Sequence, residues 1–379
     1  MTARMPVLPG WLLVCCLALG CARGAALDGT ADGWERAAPA SAGLDPALLD
    51  SMTRAIERQQ YPNVHALLIV KDERLVYERY FAGTDVRRGV GPLGHVVFDD
   101  TTRHDLRSIT KSVTSALVGI AIDAGLLGSI DQPVFDLFPE HADLATPEKR
   151  RTTLRHLLTM SSGLAWNEAV SYADTSNDER RMNRSTDPVR FVLGRPLADA
   201  PGTVFNYSGG SSQLLAAAVQ RAARRPLLDY AREVLFGPLG ITDVEWVHDS
   251  SDVPSAASGL RMRPVDLAKF GLLYLDQGRW HGRQVIPAAW VEATRTRQLD
   301  LPAADSDGGR HGYTLQWWHS VFATARGEIE VLTAAGNGGQ NIFVVPEFGM
   351  VVTILGGRYD AGDFLTEDIL LDHVIGSLR

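Results

Sequence analysis

Apolar positions change their period several times along this 379-residue chain. Residues 45–58 (DPALLDSMTRAIER) repeat at helical spacing, with Asp45 placed to cap the first turn. Residues 66–70 and 75–81 are short apolar runs around Lys71-Asp72-Glu73-Arg74, the pattern of a β-hairpin. Residues 82–107, rich in Gly, Asp and Arg, read as a long loop. From Ser108 to about Leu126 the period is helical again. Ile109, Val113, Ala116, Leu117, Ile120, Ala121 and Ala124 share one face, while Val118 and Ile122 are apolar elsewhere. That pattern predicts a helix buried nearly all round, which Gly125 can end.

Further helices are expected at 154–160, 188–193, 211–224, 227–235, 264–275 and 287–295, punctuated by Gly, Pro and Asn. Strands return at 313–318, 329–334, 341–345 and 350–355, before a last helix over about 363–378. Two strands early and several late predict a sheet completed by distant segments, with a largely helical insertion packed beside it. This is an α/β (α+β) architecture.

Composition narrows the class. With 45% hydrophobic and 22% charged residues, the chain is neither disordered, collagen-like nor a multi-span membrane protein. A net charge of −8 gives no electrostatic case for a nucleic-acid partner. Only four lysines occur, Lys71, Lys111, Lys149 and Lys269, so one inside an apolar helix is conspicuous. All three cysteines, Cys15, Cys16 and Cys21, precede residue 22. They fall in a segment with Arg4, an apolar run over 11–19 and small residues at Gly24-Ala25-Ala26, which reads as an export signal over 1–26. Cleavage there would leave 35 basic against 45 acidic residues and no cysteine. Ala18-Leu19-Gly20-Cys21 also resembles a lipobox, so a periplasmic or secreted protein and one held to the membrane by lipid at Cys21 are both open.

Several catalytic signatures are missing. There is no Gly-x-Ser-x-Gly elbow and no His-Glu-x-x-His, and the ten histidines are scattered without metal-ligand spacing. Gly89-x-Gly91-x-x-Gly94 contains a proline and is followed by no helix, so it reads as loop rather than a dinucleotide site. Ser108-Ile109-Thr110-Lys111 is different. On a helix starting near Ser108, residues three apart share a face, which sets the hydroxyl beside the amine. A lysine buried there is expected to have a lowered pKa and so to take or relay a proton. In Phe205-Asn206-Tyr207-Ser208-Gly209-Gly210, glycines hold a loop from which Tyr207 could present its phenol. Gly336-Asn337-Gly338-Gly339-Gln340 precedes an apolar strand, where glycines let a backbone N–H approach a ligand.

These elements, in this order, resemble the serine β-lactamase/penicillin-binding-protein superfamily. The likeness is to its class C-like branch of family VIII esterases and 6-aminohexanoate-dimer hydrolases. It extends over about residues 45–379, through the segments 104–123, 153–168, 201–217 and 336–352. The resemblance implies one catalytic domain over 27–379. Its antiparallel sheet, flanked by helices, would come from about 45–107 and 258–379, with the helical subdomain over about 108–257. Ser108 would be the acylated nucleophile, Lys111 its activating partner and Tyr207 a base and proton donor. Either Lys111 or Tyr207 could take the first proton. The oxyanion hole would be the N–H groups of Ser108 and Gln340. Asn337, Gly338, Gly339, Trp166 and Asn167 would bind substrate. Tyr313, Trp317 and Trp318 lie on a strand near the third motif, where alternation turns only one tryptophan inward, and core packing is the preferred reading for most of these aromatics.

Two positions depart from the family pattern. Gly209 stands where an asparagine is usual and Asn337 where a lysine is usual, which removes the cation expected to hold a β-lactam carboxylate. The expected substrate is a small ester or amide with a neutral flank, and no metal or cofactor is implied. A weak β-lactamase, a D-alanyl peptidase, an acyltransferase and a non-catalytic binding protein are the other readings.

Overall fold

The computed structural model describes residues 32–300, 310–361 and 365–379; the segment expected to direct export, with its cysteines, lies outside them. Among the described residues, eight strands form one sheet. Their order is Leu299–Asp300, Arg310–Tyr313, Trp318–Thr324, Gly327–Gly336, Gln340–Val345, Met350–Gly356, Val64–Lys71 and Arg74–Tyr80. Every neighbouring pair is antiparallel. Distant parts of the sequence meet where Val64–Lys71 slots beside Met350–Gly356.

Alternation along Val64–Lys71 explains the layers. Ala66, Leu68 and Val70 belong to a core that also holds the helices Ile109–Asp123 and Pro264–Leu275. Leu67 and Ile69 face the other way, onto the helix Pro46–Glu57 and the C-terminal turns Ile369–Ile375. The sheet is therefore covered on both faces, and its inner strands read as unbroken apolar runs. Asp45 caps the first helix by accepting the Ala47 N–H at 2.9 Å, and Pro46 sits where no N–H is needed. The two ends of the body meet: Asp45 N–H donates to Ser377 O at 2.7 Å and Arg379 N–H to Gly43 O at 2.9 Å.

Residues 82–107 are not a loop. They hold a hairpin, Ala82–Arg87 with Gly91–Val97, and a short strand, His104–Asp105, paired to Leu260–Met262. Gly91–Val97 is exposed along most of its length, so no alternation marks it. The Gly89/Gly91/Gly94 pattern belongs to this hairpin, with all three glycines at positive φ (75°, 110° and 72°). The expected strand 313–318 is broken at Gln316, whose φ is 64°. Its buried amide donates to Leu157 O and accepts from Ser212, while its carbonyl accepts from Ser112. That residue ties together Ile109–Asp123 and the helix Gly209–Ala223, which pack directly on each other.

Candidate active site

Ser108 directly precedes the helix Ile109–Asp123, after a residue in an unusual conformation. Arg107 has φ 49°, left-handed and non-glycine, a geometry that costs about 1 kcal/mol or more. It is held by a hydrogen bond from its guanidinium to Val86 O at 2.6 Å and by the Tyr359 ring 4.4 Å away. Just upstream, Leu106 N–H is fixed to Leu260 O at 3.0 Å. The Ser108 hydroxyl makes no helix-capping bond. It accepts instead from Lys111 Nζ at 2.9 Å, and the same ammonium donates to Ala257 O at 2.8 Å. The helix is buried from Ile109 to Ala121, and Lys111 is 1% exposed.

Tyr207 is brought in by the second helix. Asn206 N–H bonds Met160 O at 2.7 Å, and Ser208 caps the helix Gly209–Ala223 by accepting the Ser211 N–H. The residue between them is thereby aimed at Lys111, whose Nζ lies 4.8 Å from the phenol ring. Trp318 stacks on Tyr207 with ring centroids 5.9 Å apart. Trp317, its neighbour, is fully buried against Phe270 and Tyr274, so one tryptophan of the pair faces the site and the other the core. Tyr313 also packs edge-on to Tyr207.

Two carboxyl groups that the sequence reading did not single out complete this cluster. Glu168 accepts from Trp166 Nε1 at 2.7 Å, Gly209 N–H at 2.6 Å and Tyr172 OH at 2.9 Å. Glu179, 3% exposed, accepts from the Ser258 hydroxyl at 2.7 Å. Gly209 explains its own departure from the family pattern. A Cβ there would lie 2.9 Å from Glu179 Oε2, 3.0 Å from Ala257 Cβ and 3.2 Å from Glu168 Oε2, so a side chain at this position would push the carboxyls out of their places. Glu168 was detectable only as the acid closing Trp166-Asn167-Glu168, and Glu179 carried no local signal.

The carboxyls correct the expected lysine chemistry. Burial pulls Lys111 down, but Tyr207, Glu168 and Glu179 outweigh it and hold the ammonium above its ordinary value. Burial, only partly offset by Lys111, likewise pushes the Tyr207 phenol up. Burial and the neighbouring Glu179 push Glu168 up to about 7. The resting pair is an ammonium beside a neutral phenol.

A cleft of about 440 Å³ opens over Ser108, with Arg107, Tyr172, Glu179, Asn337 and Tyr359 among its walls. Asn337 is at its rim with both amide atoms committed to Asp360, at 2.7 and 2.8 Å. Gly338 packs under the Tyr359 ring, where a Cβ would come within 2.6 Å. Gly339 follows it in the same turn, and Gln340 is fully buried, its side chain paired with Gly356. Gly336 abuts the serine segment: a Cβ would lie 2.4 Å from Leu106 O. Trp166 packs in the core against Gly210, and Asn167 turns to Ser176 and Asp178; neither is among the cleft-lining residues. The cleft is not free of cations, since Arg88, Arg107, Arg180 and Arg184 all line it.

Comparison with known proteins identifies the family and the fold. A 6-aminohexanoate-dimer hydrolase of Paenarthrobacter ureafaciens is 26% identical over 308 residues, 76% of this chain and 71% of that protein. A lovastatin esterase of Penicillium rubens is 29% identical over 183 residues, 43% of this chain and 42% of that one. In structure, simvastatin synthase of Aspergillus terreus superposes with a TM-score of 0.64 at 18% identity, covering 87% of this chain and 97% of its own. The beta-lactamase family model matches residues 49–373. The chain belongs to the beta-lactamase family, within the superfamily of serine hydrolases and penicillin-binding proteins.

Proposed function

We propose that this protein is an exported hydrolase that cleaves an ester or amide through an acyl-enzyme on Ser108. The observation that carries the reading is the Ser108–Lys111 contact of 2.9 Å at a cleft, with the Tyr207 ring beside the same ammonium. Ser108 Oγ gives its proton to the Lys111–Tyr207 pair and attacks the carbonyl carbon. The oxyanion is held by the N–H groups of Ser108 and Gln340. Collapse expels the alcohol or amine, which takes its proton from Tyr207, and water then releases the acid from Ser108. Residues 1–26 act as the export signal, checked by the mass of the exported protein, which a lipidated Cys21 would raise.

The competent form is one proton poorer than the resting pair, so kcat/KM rises with pH. Glu168 supplies negative charge that raises both Lys111 and Tyr207. Glu168→Gln removes that charge and is expected to move the ascending limb of kcat/KM to lower pH; a limb that stays in place refutes the coupling.

Asn337, tied to Asp360, supplies no cation for a β-lactam carboxylate. A panel of p-nitrophenyl esters of rising chain length is expected to be turned over well above a chromogenic cephalosporin. Cephalosporin turnover rivalling the esters would overturn this assignment.

A further inference from the structure

We propose that His65, Asp85 and His104 form a site for one divalent transition-metal ion, zinc by the chemistry of the donors. Far apart in sequence, they come from three elements: the strand Val64–Lys71, the hairpin strand Ala82–Arg87 and the strand His104–Asp105. One ligand atom from each lies within 4.8 Å of the other two. The residues are 0%, 5% and 1% exposed.

Proton accounting around the two rings requires a cation. Asn63 is locked by Thr84, its Nδ2 donating to Thr84 O and its Oδ1 accepting the Thr84 N–H, both at 2.8 Å. Its Oδ1 is therefore an acceptor, and it faces His65 Nε2 at 3.2 Å, which must carry the hydrogen. At the far end, His104 Nδ1 lies 3.0 Å from Asp105 O, so it too must be the N–H. In neutral imidazoles the remaining nitrogens, His65 Nδ1 and His104 Nε2, are then both lone pairs. They point at each other across 2.8 Å.

Two converging lone pairs beside a carboxylate are what a divalent metal needs. Each ring already donates its other N–H to an oxygen, the usual outer support of a metal-bound histidine. Asp85 is supported in the same way, accepting from Tyr359 OH at 2.6 Å. Gly83 lets the hairpin close on this cluster, since a Cβ there would sit 2.7 Å from His65 Nε2. Ligation at a Zn–N distance of about 2.0–2.1 Å would spread the two nitrogens by roughly half an ångström. The competing occupant is a third proton, which would charge one ring. The ion would be structural, pinning the sheet and hairpin to the segment that enters Ser108.

The test uses the full-length, untagged protein, stripped with a chelator, dialysed, and titrated with zinc chloride by calorimetry and thermal unfolding. The expected result is one zinc per chain, with Tm raised by roughly 5 °C at 100-fold excess over Kd. Ser108→Ala should bind identically, whereas His104→Gln and the near-isosteric Asp85→Asn should each weaken binding at least tenfold. Absence of binding and of any Tm shift in the unmutated protein overturns the proposal and leaves the gap to a shared proton. Undiminished binding in both variants places the zinc elsewhere and overturns it equally. Neither outcome touches the hydrolase reading, which does not depend on this site.

Discussion

Ser108→Ala is expected to lower ester turnover at least about 10⁴-fold and to abolish labelling by a fluorophosphonate, with the fold unchanged. The Oγ makes no capping bond, and the strained Arg107 before it is held by Val86 and Tyr359, not by the serine. Removing the hydroxyl therefore deletes the reacting atom and one hydrogen bond from Lys111, which keeps Ala257 O as a partner. Circular dichroism and Tm should match those of the unmutated protein to within a few degrees. Turnover or labelling that survives would move the nucleophile to another residue.

Lys111→Met is expected to lose activity to a similar degree and, unlike Ser108→Ala, to lose stability. Methionine keeps the unbranched stem as far as its fourth heavy atom inside a buried helix, but removes the charge that balances Glu168 and Glu179. Stripping one partner from a buried set of opposite charges costs about 3–5 kcal/mol. Adding Glu168→Gln in the same chain should restore part of that stability and none of the turnover. A double-mutant cycle by urea unfolding reads the coupling directly. Stability losses that simply add would show that the carboxyls and the ammonium do not interact.

How far the sequence carried depends on how local each signal is. Ser108 and Lys111 were readable because a three-residue spacing on one helix becomes a contact without help from the rest of the chain. The sheet strands around 66–70, 341–345 and 350–355 were readable because burial on both faces leaves an apolar run. The hairpin at 82–97 was not, because its second strand is largely exposed and rich in glycine. Glu168 and Glu179 acquire meaning only once Gly209 brings a helix end against them, a fact of tertiary packing. The same holds for the upward shift of Lys111: burial was inferable from the helix pattern, but the charges that outweigh it come from elsewhere in the chain. His65 and His104 are two of the scattered histidines, and their meeting with Asp85 is likewise a fact of tertiary packing.

The meeting of residues 43–45 with residues 377–379 has a consequence for how the protein comes into being. The strands beside Val64–Lys71 and under Ser108 are synthesised after the helices that carry Ser108 and Tyr207. A nascent chain can form its helices, but the wall that Gly336 presses against the serine segment does not exist until residues 327–356 have emerged. A chain stopped before residue 327 would thus be an unassembled polypeptide with an open sheet edge, prey to proteases, rather than a weaker enzyme.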